Sequence, residues 1–153
     1  GGGSRPRRGP SGRIGIGRKI TLVQEGTTNV QPGFIMFMPV YDTPAPPPTV
    51  ELRRRLIKGY VNAPFRLYNL MRGILQGDHQ DVGFEIFDGD APSEAALLYR
   101  GEGLADGADR PRPPLFADTR RLDILGRTWT IRFAALPAFE ATMDRRLPYF
   151  ITA

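Results

Sequence analysis

Gly33-Phe34-Ile35-Met36-Phe37-Met38-Pro39-Val40-Tyr41, followed by the proline hinge Pro44-Ala45-Pro46-Pro47-Pro48 and then Thr49-Val50-Glu51-Leu52-Arg53-Arg54-Arg55-Leu56-Ile57-Lys58-Gly59-Tyr60-Val61-Asn62-Ala63-Pro64-Phe65, decides how this chain divides. The first segment reads as a strand that is apolar on both faces. Period two puts Phe34, Met36 and Met38 on one side and Ile35, Phe37 and Pro39 on the other, so neither side suits water. Pro39 cannot donate to a ladder and marks an edge or a local break. The prolines form a stiff connector, and Thr49 is placed to cap a short helix carrying Leu52 and Leu56 on one face. Gly59 ends that helix, Tyr60 and Val61 read as a strand, and Asn62-Ala63-Pro64 precedes a second helix. Its apolar stripe of Phe65, Leu67, Tyr68, Leu70, Met71, Ile74 and Leu75 stops at Gly77.

Working outward toward the N-terminus, residues 1 to 12 are mostly Gly, Pro, Ser and Arg and bury no apolar surface, so they read as tail or linker. Gly12-Arg13-Ile14-Gly15-Ile16-Gly17-Arg18-Lys19-Ile20 has the glycines of a phosphate cradle. It lacks the Lys-Ser/Thr that must follow the last Gly of a P-loop, and Ile20 stands where the dinucleotide fingerprint needs a third Gly. What comes next, Ile20-Thr21-Leu22-Val23-Gln24, is a strand and not the anion-binding helix. A polar turn over Gly26 to Pro32 then makes residues 18 to 24 and 33 to 41 an antiparallel hairpin.

Toward the C-terminus the chain reads as sheet: Val82 to Phe87, the turn Asp88-Gly89-Asp90, Ala96 to Arg100, a long loop from Gly101 to Pro114, then Thr119 to Ile124 and Arg127 to Ala134 about the tight turn Leu125-Gly126. Trp129, Ile131 and Phe133 share a face. Pro137 to Ala153 reads as an exit segment with the apolar tip Leu147-Pro148-Tyr149-Phe150-Ile151. The fold class expected is α+β: a PAS-like antiparallel sheet with flanking helices, preceded by the last strands of a second PAS-like module.

The net charge of +5 over 153 residues raises nucleic acid as a partner. The basic residues are scattered among acids or sit in the tail, so no nucleic-acid surface is expected. With no Cys there is neither a disulfide nor a thiolate site, and the single His79, in a polar turn, cannot build a triad or a multi-His metal site. Asp88 and Asp90 lack the further carboxylates of a calcium loop and read as turn formers. Asp106 and Asp109 have no base or nucleophile beside them. No catalytic group, metal ligand or cofactor is assigned.

The order Ile20-Thr21-Leu22-Val23-Gln24-Glu25, the apolar run closing on Pro39-Val40-Tyr41, the Arg-rich helical turn leading to Gly59-Tyr60-Val61 and Phe65, Asp88, Leu97-Leu98-Tyr99 and Gly126-Arg127-Thr128-Trp129 resembles the CHASE domain, the extracytoplasmic sensory domain of membrane-bound histidine kinases, nucleotide cyclases and diguanylate cyclases. The resemblance implies tandem modules, with residues 13–48 the end of a membrane-distal module and its hinge, 49–136 the membrane-proximal module, and 137–153 an exit toward a membrane helix. It implies a small-molecule ligand of unknown identity, a homodimer in the full receptor, attachment to the membrane through flanking helices, and a place on the periplasmic side. Ile35, Phe37 and Pro39 are the expected pocket wall. Hormone-binding plant members of the family carry a small hydroxyl residue where Phe37 stands, so a purine-sized cytokinin pocket is not expected. A different class remains open: a stand-alone basic module for RNA or an acidic protein, using Arg13, Arg18, Lys19 and Arg53 to Arg55.

Overall fold

The computed structural model describes residues 12–23, 30–75, 81–104 and 113–144. The expected positions of His79, Asp106, Asp109, Gly77 and the tip at 147–151 lie outside them.

Two antiparallel sheets and three helices make an α+β fold of the PAS-like kind. The first sheet is built on β3 (Val30–Tyr41), with β1 (Gly15–Ile16) and β2 (Ile20–Val23) one after the other along one side and β4 (Ile57–Arg66) along the other. The hairpin of β2 and β3 is as expected, with Ile20 opposite Gly33 and Val23 opposite Val30, so β3 starts three residues earlier than its apolar run. Pro39 lies beyond the reach of β1, where β3 keeps β4 as its neighbour among the described strands.

The strand expected at Tyr60-Val61 is much longer than the sequence suggests. β4 runs through Asn62-Ala63-Pro64 and pairs with β3 from Gly33–Arg66 to Tyr41–Ile57. Pro64 is tolerated because β4 is an edge strand, so a missing N–H on its outer side breaks no ladder. Phe65 therefore belongs to β4, and the second helix, α2, is the shorter Leu67–Ile74. The strands on either side of the hinge thus share one sheet.

Within the hinge, Thr49 caps α1 (Val50–Leu56) as expected, its hydroxyl accepting from the Leu52 N–H at 3.2 Å. The buried side chain of this helix is Arg53 and not Leu52, which is 37% exposed. Prolines bring carbonyls without N–H groups. The Arg53 guanidinium supplies the donors, reaching the Pro47 and Pro48 carbonyls at 3.0 and 2.9 Å.

The second sheet has the order β6-β5-β8-β7, from β5 (Val82–Asp88), β6 (Leu97–Arg100), β7 (Ala117–Ile124) and β8 (Arg127–Ala135). The turn between β7 and β8 puts Leu125 and Gly126 at φ 47° and 81°, the left-handed pair of a tight hairpin turn, which makes Gly126 the easy residue there. α3 (Pro137–Asp144) follows β8 directly.

One core joins the two sheets. Phe34, Leu67, Met71, Ile86, Leu98, Tyr99 and Trp129 form a single buried cluster, with Phe65, Phe84 and Ile131 packed against it. The Phe34 ring stacks on Phe65 and meets Trp129 edge-on, with centroids 5.3 Å apart in both cases.

Candidate functional site

β3 presents two different faces. Phe34 is buried against the second sheet, while Ile35, Phe37 and Pro39 lie half-buried on the opposite face, as alternation requires. Gly17 closes onto this second face: its N–H donates to the Ile35 carbonyl at 2.8 Å, and an added Cβ would sit 3.2 Å from the Phe37 ring. At the end of β3, where the pairing with β4 shifts register, the Tyr41 hydroxyl is buried with no hydrogen-bond partner among the described residues. The structure therefore brings Ile35, Phe37 and Pro39 together on one strand face. None of the three lines either of the two clefts of about 640 and 580 Å³.

Asp88 is more than a turn former. Its carboxylate accepts from Arg127 Nε and Nη2 at 2.5 and 2.6 Å and from the Lys19 backbone N–H at 2.8 Å, with its side chain 7% exposed. Lys19 Nζ in turn donates to the Ala95 carbonyl at 2.8 Å. The connection between β1 and β2 is thus latched to the end of the second sheet. Burial pushes the Asp88 carboxyl up, but the Arg127 hydrogen bonds, the Lys19 amide and the charges of Arg127 and Arg18 outweigh it and hold it below the usual carboxylate range. A lowered carboxyl pKa adds stability that is fully present above the unfolded value near 4 and is lost as pH falls through the lower folded value. In acid titrations followed by circular dichroism, Asp88→Asn is expected to cost about 1.5–3 kcal/mol at neutral pH. The variant's stability should also fall less steeply below about pH 4 than that of the parent.

A second polar cluster was missed by reading the charges as scattered. Arg100 on β6 and Arg132 on β8 stand opposite Glu85 on the central strand β5. Both Nε atoms donate to its carboxylate at 2.8 Å, and Glu85 is 6% exposed at its side chain. Arg132 also lies over the Phe87 ring, 5.3 Å from its centroid. Arg100 carries a further bond to Glu94. The cluster contains no nucleophile beside a base, and its charges are mutually satisfied, which suits a structural clamp.

The basic set considered for RNA or an acidic protein is broken up. Arg53 is buried in the hinge and Lys19 is bound to Ala95, so they do not join Arg13, Arg18, Arg54 and Arg55 on one free surface. Among the described residues no group of three or more His, Asp or Glu is placed to hold a metal, and no helix is long and apolar enough to cross a membrane.

Two sheets share one core, β3 has one face inside that core and one outside it, and α3 leaves the end of β8. The CHASE domain family model matches residues 9–99, more than half of the chain, and the chain belongs to that family. The match takes in the whole first sheet together with β5 and most of β6; β7, β8 and α3 lie beyond it. CHASE domains are extracytoplasmic sensory modules of signalling receptors and are not catalytic. No curated protein matches the chain.

Proposed function

We propose that this chain is the ligand-sensing part of a membrane-bound receptor on the periplasmic side of the cell membrane. It relays the binding of a small molecule to a cytoplasmic histidine kinase or cyclase, as a homodimer in the intact receptor. The observation that carries this reading is the two-faced strand β3. Its outer face offers Ile35, Phe37 and Pro39 as one apolar wall. Its inner face sets Phe34 against Trp129.

A ligand pressed on the wall moves β3 as a unit, because close-packed side chains transmit displacement. Phe34 passes it to Trp129 on β8, and β8 runs straight into α3, so the output lies one strand away from the input. Binding then biases two packings of the same core, and the effector reads the difference. Residues 13–48 and 49–136 act in this relay together, since β3 and β4, on either side of the hinge, pair in one sheet.

The test is Phe37→Ala and Phe37→Asp in the intact receptor. Phe37→Ala is expected to weaken the ligand response at least about tenfold, the loss of one buried aromatic contact, and Phe37→Asp to abolish it. If both variants keep full response and full stability, the wall is elsewhere.

A further inference from the structure

The cleft of about 640 Å³, which none of the β3 wall residues lines, lies between α2, the β5 and β6 strands and the start of α3. Its aromatic side is a continuous run of rings: Tyr68 and Tyr99 have centroids 5.0 Å apart, and Tyr99 and Phe84 5.6 Å. The volume falls in the range of small-molecule sites.

Among the described residues three charged ones line it. Arg100 is already committed to Glu85 and Glu94. Arg72, exposed on α2, and Glu102, exposed just after β6, have no ion-pair partner among the described residues. Among the described residues the cleft therefore offers one available cation and one available anion beside a run of tilted rings. A simple anion gains Arg72 but is repelled by Glu102, and a simple ammonium meets the reverse. A molecule carrying both charges gains from each. The rings favour a planar apolar group on the same molecule.

We propose that this cleft binds an aromatic zwitterion, of the class of the aromatic α-amino acids, with its carboxylate on Arg72, its ammonium at Glu102 and its ring against Tyr68 and Tyr99. Leu136 and Pro137 form part of the same cleft, where β8 passes into α3. An occupant thus bears on the exit helix directly, without the β3 route. The site is independent of the wall at Ile35, Phe37 and Pro39, and either can fail without the other.

Calorimetry on the full chain with L-tryptophan, tryptamine and indole-3-propionate separates the contributions. Saturable binding of L-tryptophan is expected, with each analogue, lacking one charge, at least about tenfold weaker. Arg72→Ala and Glu102→Gln should each weaken L-tryptophan by a similar factor while leaving the circular dichroism spectrum unchanged, since both side chains are exposed. No saturable binding at millimolar concentration overturns the proposal. So does equal affinity for the three compounds, or affinity for L-tryptophan that neither substitution moves.

Discussion

Phe34→Ala is expected to destabilise the chain by about 3–5 kcal/mol, because it empties a ring-sized space inside the core that the two sheets share. Phe34 is 4% exposed and touches Phe65 on its own sheet and Trp129 on the other. The cavity opens between sheets and not within one, so neither sheet can collapse into it without leaving its partner. Chemical denaturation gives the size of the loss. A double-mutant cycle with Trp129→Phe isolates the contact itself, with a coupling of about 0.5–1.5 kcal/mol expected for an edge-on aromatic pair. A loss under about 1 kcal/mol for Phe34→Ala, with zero coupling, would mean that the sheets stand apart.

Glu85→Gln is the second large effect, again about 3–5 kcal/mol. The substitution keeps the shape of the side chain and removes its charge, leaving the Arg100 guanidinium, 17% exposed, without its main counter-charge, while Arg132 at 44% keeps access to water. The cost should therefore come chiefly from Arg100. The triple change Glu85→Leu, Arg100→Leu, Arg132→Leu should recover much of it, since replacing a buried ionic cluster by apolar groups of similar size is often neutral or better. A Glu85→Gln variant as stable as the parent would show that the cluster is solvated in solution.

How far the sequence reveals this arrangement follows from which interactions are local. The alternation of Phe34, Met36 and Met38 against Ile35, Phe37 and Pro39 depends on neighbours two residues apart, so the faces of β3 and the shared face of Trp129, Ile131 and Phe133 are readable. The Thr49 cap and the turn at Leu125-Gly126 are equally short-range.

β4 escapes because Asn62-Ala63-Pro64 has turn chemistry, and only its edge position in the finished sheet makes those residues acceptable as strand. Arg53 escapes because an Arg-rich helical turn is usually a solvated face, and the lone carbonyls that draw it inward come from the prolines of the hinge. Glu85, Arg100 and Arg132 are brought together by register between strands up to 47 residues apart, which no periodicity encodes. The cleft beside Tyr68 and Tyr99 has walls from four separate elements and has no linear signature at all.

The chain holds a single tryptophan, so labelling with 5-fluorotryptophan gives one ¹⁹F resonance, and it reports on Trp129 at the contact with Phe34. If β3 carries a change on its outer face through to the second sheet, Phe37→Ala must move that resonance, while Arg54→Ala, on the exposed side of α1, must leave it in place. A resonance identical in the parent and in Phe37→Ala would contradict the relay from β3 to β8.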